Sequence, residues 1–206
     1  VSALGLGLTC LKKIQAPSVH IETVKVKNGE KNISVFKTPE TPSLSRISEA
    51  MERRMSRLSK MFFYAAEEAL QDAKSLELFR SDRAGLVVGT ALGSLEFANL
   101  YQKRIIQQGP MAVSPNLFSS SMVSTLNAAL TVTYQIQGPS STVTTMEDTP
   151  FAALRLAYDW IRQDMADRVL VVIGDEISDY HHYYSTTESL AHPLGEGAVA
   201  FVLEKR

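Results

Sequence analysis

The 206-residue chain carries 21 basic and 22 acidic side chains, a net charge of −1, with 45% hydrophobic and 21% charged residues. That is the balance of a globular domain with a real core, and it gives no electrostatic basis for binding nucleic acid or a membrane surface. The single cysteine, Cys10, rules out an internal disulfide framework and fits a reducing, cytoplasmic setting, and no apolar run approaches the roughly 20 residues that span a bilayer.

In chain order, residues 1–9 (VSALGLGLT) are a short apolar run that predicts a buried strand. They lead into Lys12 and Lys13 instead of following a basic segment, so they do not form a signal pattern. Residues 19–36 alternate around Asn28-Gly29, and Asn-Gly favours the positive φ of a type I′ turn, so a β-hairpin is predicted there. Residues 37–48, with Pro39 and Pro42, read as a connecting loop. Leu58, Met61, Phe62, Ala65, Ala69, Leu70 and Ala73 recur at helical spacing. The run AGLVVGT (84–90) predicts a second buried strand, and residues 95–107 a helix stopped by Gly109-Pro110. A further helix is predicted over residues 120–134, ending before Gly138-Pro139.

Residues 141–146 alternate β-branched side chains, which favours a third strand. A helix follows directly, with Thr149 as its cap and Pro150 at its first position. Its apolar sequence, PFAALRLAYDWI, predicts burial between layers. Residues 168–174 (RVLVVIG) and 198–203 supply a fourth and a fifth strand. Strands alternating with helices imply an α/β fold, because parallel strands need helical crossovers. The expected architecture is one domain over residues 1–206: a five-stranded, mainly parallel sheet with helices on both faces, plus the small hairpin.

The junction after the third strand, Thr144-Thr145-Met146-Glu147-Asp148-Thr149, is the most informative place. A tight strand-to-helix turn exposes backbone N–H groups, a geometry used for nucleophiles and oxyanion holes. The surrounding stretch GPSSTVTTMEDTPFAALRLA resembles the nucleophile region of beta-ketoacyl synthases. Laid without gaps, Glu147 falls on that family's acyl-accepting cysteine. Other segments resemble the family in the same order: ALGLGLT, RMSRLSKMFFYAAEEALQDA, GLVVGTALGSLE, VSPNLFSSSMVSTLNAALTVTYQIQGP and GEGAVAFVLEKR.

The resemblance implies half of a thiolase-like fold. It places Leu92, Leu117, Phe118 and Met122 in segments bordering the family's acyl pocket and dimer contact, although the same side chains would serve equally as core. It also implies that no catalytic residue is present. A carboxylate at Glu147 cannot form the thioester that a thiolate forms, and the family's two histidines and lysine belong to its second half. The pattern resembles the cysteine-less chain-length factor of type II polyketide systems, including partners in aryl-polyene-type pathways. The implied role is a non-condensing subunit that pairs with a full-length ketosynthase and meets acyl carrier protein through that complex, or otherwise forms a homodimer. A malonyl-thioester decarboxylase completed by a partner, and an unrelated α/β binding protein, are the alternatives.

Plainer readings stand beside these. Glu147-Asp148 is also an ordinary acidic helix start. Gly89 and Gly93 do not make the dinucleotide fingerprint G-x-G-x-x-G, and His181-His182 before Tyr183-Tyr184 fits a solvated loop better than a metal site. No cofactor or metal is expected.

Overall fold

The computed structural model describes residues 18–26, 29–38, 44, 46–74, 76–178 and 194–205, with side chains from residue 35 onward. The predicted strand at residues 1–9, Cys10, and the stretch from His181 to Tyr184 lie outside the described residues.

Strands β1 (Ser18–Val26) and β2 (Gly29–Lys37) form the expected antiparallel hairpin. Val26 stands opposite Gly29, so Gly29 opens β2 and does not sit inside the turn. Gly29 therefore belongs to β2, and Asn28 of the expected Asn28-Gly29 turn lies outside the described residues. After a one-turn helix, α1 (Glu49–Glu52), comes α2 (Arg57–Asp72). The Ser56 hydroxyl caps α2 by accepting from the Ser59 N–H at 3.1 Å, as serine does when helix N–H groups lack partners.

Next come β3 (Ala84–Gly89), α3 (Leu95–Gln108), a 3-10 turn (Pro110–Ala112), α4 (Pro115–Ser120) and α5 (Ser124–Tyr134). The chain continues through β4 (Ser140–Val143), a second 3-10 turn (Met146–Asp148), α6 (Thr149–Arg162), β5 (Arg168–Asp175), β6 (Leu194–Gly195) and β7 (Gly197–Glu204). The main sheet has the order β4-β3-β5-β7. Its first three strands are parallel and β7 runs antiparallel to β5, while the two-residue β6 extends the hairpin.

Helices cover both faces of this sheet, as expected. On one side α2 and α5 bury Leu58, Phe62, Leu70, Leu126 and Leu130 against Leu86, Val88, Leu170, Val172 and Val202. On the other, Ala153, Ala157 and Ile161 of α6 pack against Val87, Val169, Val171, Ile173 and Leu203. Successive strand residues point to opposite faces, and here both faces are covered, which is why β3 and β5 read as unbroken apolar runs.

Three expectations change. The helix expected over 120–134 begins only at Ser124, and a separate short helix, α4, precedes it. The Ser121 hydroxyl donates to the Phe118 carbonyl at 2.6 Å and the Thr125 hydroxyl donates to the Ser119 carbonyl; such local side-chain bonds compete with the helical ladder. The third strand stops at Val143 and the chain leaves the sheet before residue 146. Helix α6 is not sandwiched between layers: Ala153 and Ala157 are fully buried, but Phe151 is 74% exposed. A single sheet covers one face of α6, and no described element covers the other.

Candidate functional site

Three strand ends converge at the carboxyl edge of the parallel strands, the edge where open α/β sheets place their sites. From β4 the chain runs through Thr144 and Thr145 to Met146, whose φ is +52°. A non-glycine residue in this left-handed region is uncommon and carries strain of order 1 kcal/mol. Glu147 follows, exposed, in the 3-10 turn that leads into α6. Thr149 was expected to cap α6 in the forward direction. Its hydroxyl reaches back instead, accepting from the Thr145 N–H at 2.9 Å, and so ties the turn to the helix start. Thr149 itself is 2% exposed.

Gly89 at the end of β3 makes this closeness possible. A Cβ there would meet the Thr149 methyl at 3.1 Å and the Ala153 Cβ at 3.2 Å. Only a residue without a side chain lets the start of α6 lie so near the strand.

Beyond Gly89, the β3 chain turns through residues 90–94. The Asp175 carboxylate, at the end of β5, accepts from the Thr90 hydroxyl at 2.6 Å, from the Ala91 N–H at 3.0 Å and from the Leu92 N–H at 3.2 Å. Gly93, with φ +68°, presses against Val123, where a Cβ would come within 3.0 Å of a methyl group. This contact brings the turn holding Leu92 against the stretch between α4 and α5. Leu92 is half-buried. Leu117 is buried at 7% exposure, whereas Phe118 and Met122 stand 47% and 46% exposed. The Phe118 ring leans on Tyr101, with centroids 5.7 Å apart and planes at 51°. Leu117 is therefore an internal residue, and Phe118 and Met122 offer apolar surface. Glu147 belongs to a different strand end and is joined to this region through Gly89 and Thr149.

Two buried carboxylates at this edge were not expected from the sequence. Glu176, 2% exposed, accepts from the Leu58 N–H at 2.8 Å in the first turn of α2. Burial pushes its carboxyl up to about 7, against the bond from Leu58 and with added repulsion from Glu96 and Glu196. Glu196 accepts from Arg57 at 2.5 Å and from the Thr38 N–H at 3.1 Å, binding the hairpin to α2. Burial opposes its ionisation, but the Arg57 guanidinium and the Ile177 and Thr38 N–H groups hold its carboxyl below the usual range. The available signal was Asp175-Glu176 following an apolar strand without a break: carboxylates at that position sit where the core ends. At the opposite edge, a surface depression of about 280 Å³ is lined by Arg80, Arg83, Asp167 and Arg168. Those arginines are paired with Glu77, with Asp164 and Asp167, and with Glu204.

Residues 12–189 match the family model of the beta-ketoacyl synthase N-terminal domain. The chain belongs to that family. A curated relative, 3-oxoacyl-[acyl-carrier-protein] synthase 2 of Staphylococcus aureus, is 23% identical over 163 residues, covering 73% of this chain and 40% of its own. The chain thus spans about two fifths of that relative's length. Among solved structures, a type II polyketide ketosynthase in complex with its acyl-carrier protein aligns with a TM-score of 0.76 at 19% identity, covering 84% of this chain and 53% of that one. The ishigamide ketosynthase/chain length factor aligns at 0.73 and 22% identity, covering 84% and 50%. A ketosynthase in complex with its chain length factor from Xenorhabdus doucetiae aligns at 0.63 and 23%, covering 80% and 64%. At these identities the likeness establishes the fold, which is half of a thiolase-like ketosynthase.

Among the described residues no group of three or more His, Cys, Asp or Glu could hold a metal ion, and no helix is long and apolar enough to cross a membrane.

Proposed function

We propose that this ketosynthase-like chain is a non-condensing, chain-length-factor-like partner of an active beta-ketoacyl synthase in fatty-acid or polyketide assembly. The observation that carries this reading is the place of Glu147. It stands on the strained turn between β4 and α6, with Met146 at φ +52° before it and the Thr145–Thr149 bond closing the turn behind it. By resemblance this is the family's acyl-accepting position. A carboxylate has no sulfur and forms no thioester, so the turn keeps the shape of a nucleophile site without its chemistry.

Two features support a partner role. Phe151 on the outer face of α6 is 74% exposed, and Met146, in the turn before that helix, is 60% exposed. The stretch leading into α5 exposes Phe118 and Met122. Apolar surface of this kind on one molecule commonly marks an interface.

The chemistry is tested by incubating the chain with acyl-loaded and malonyl-loaded carrier protein and weighing the intact protein by mass spectrometry. The expected result is no covalent acyl adduct and no beta-ketoacyl product. An acylated chain, or product formed without another synthase, refutes the assignment of Glu147.

A further inference from the structure

One carboxylate holds the turn through which residues 90–94 leave the sheet. Asp175 accepts from the Thr90 hydroxyl and from two successive backbone N–H groups, those of Ala91 and Leu92. The Thr90 hydroxyl oxygen accepts in turn from the Gly93 N–H at 3.0 Å. After Gly93 the chain makes a helical excursion, α3 followed by a 3-10 turn and α4, and rejoins the core at α5.

This excursion is packed mainly on itself. Over its 14 residues α3 buries none, and α4 buries only Leu117. Helix α3 rests chiefly on the 3-10 turn and α4, with Tyr101 leaning on Phe118. Attachments to the core gather at its ends: the hydroxyls of Ser94 and Ser56 are 2.9 Å apart, and Gly93 presses on Val123. A helix without a buried face takes its direction from its attachment, and the strongest attachment here is charge-assisted.

We infer that Asp175 is the positioning residue that fixes the direction in which the excursion leaves the sheet, with Gly93 as its pivot. Removing the carboxylate frees two N–H groups and the Thr90 hydroxyl at once, and leaves the near end to the Thr90 N–H bond with the Val143 carbonyl at 3.2 Å, the Ser94–Ser56 hydroxyl bond, the Glu96 backbone bond to Glu176 and the Gly93–Val123 contact. Phe118 stands at the far end of the excursion and Met122 just after it, so Asp175 sets the pose of that apolar surface without touching it. Only this last consequence rests on the proposed partner role; the positioning itself belongs to the isolated chain.

Paired spin labels read this directly. With Cys10→Ser as the parent, labels are placed at Gln107→Cys on α3 and Gln163→Cys just after α6, both exposed positions. A reference pair spans the core, Glu68→Cys with Gln163→Cys. Labelled chain is diluted with unlabelled chain so that only intramolecular distances are read. The parent should give a narrow distribution for both pairs. In Asp175→Ala the α3 pair should broaden roughly twofold while the core pair keeps its width, as expected of a segment released from a fixed attachment. Asp175→Asn, which keeps an Oδ1 acceptor for the Ala91 and Leu92 N–H groups, should broaden it less. An unchanged α3 pair overturns the inference. So does a parent already broad at α3, or equal broadening of both pairs, which would make Asp175 a general support of the sheet.

Discussion

The Thr149 methyl group stands where a Cβ on Gly89 would come within 3.1 Å of it. This contact seats the first turn of α6 on the end of β3, and it fixes where the Glu147 turn lies over the sheet. Substituting Gly89→Ala adds a methyl group that neither Thr149 nor Ala153 can yield to, since both are nearly or fully buried. Overpacking of this kind costs about 1–3 kcal/mol. Urea denaturation of the two proteins checks it, and equal midpoints would show that the junction is looser than these distances imply.

Glu176 predicts a pH dependence. Its carboxyl is raised from 4.5 to about 7 in the folded chain, so between those values the native state holds a proton that the unfolded state has released. Stability is then greatest below the unfolded value and falls as pH rises through about 7. Glu176→Gln keeps an acceptor for the Leu58 N–H and removes the charge. Between pH 5.5 and 8 the wild type should lose of order 2 kcal/mol relative to this variant. Denaturation series at the two pH values measure this, and parallel curves would mean that Glu176 is solvated. Glu196 acts in the opposite sense and at lower pH, because its depressed carboxyl contributes stability that is lost only as acid protonates it.

The fold was largely legible because its signals are local. The apolar runs of β3 and β5, the helical spacing from Leu58 to Leu70 and the Gly109 stop each sit within a few residues of the elements they specify. What was not legible depends on partners distant in the chain. Helix α6 looked buried because its composition is apolar, but burial depends on what lies across it, and the described sheet covers one side only. The late start of α5 follows hydroxyl-to-carbonyl bonds at Ser121 and Thr125 that composition does not announce. Glu147 was singled out as a candidate through the resemblance of its neighbours. Asp175, Glu176 and Glu196 were missed because their meaning lies in bonds to Leu92, Leu58 and Arg57.

Leu117 and Met122 separate folding from association. Leu117 is 7% exposed and Met122 46% exposed, five residues apart. Leu117→Asp places a charge in the packed excursion and should lower the melting temperature by several degrees. Met122→Asp should leave the melting temperature of the isolated chain nearly unchanged and weaken its association with itself or with a ketosynthase. Calorimetry and light scattering together distinguish the two. Unchanged association in soluble Met122→Asp would remove this surface from the proposed interface.

The partner role is tested most directly by light scattering coupled to size-exclusion chromatography, on the chain alone and mixed with a full-length beta-ketoacyl synthase. The expected result is a heteromer of defined stoichiometry in the mixture, or a homodimer where no such synthase engages it. A stable, soluble monomer under both conditions would contradict the account.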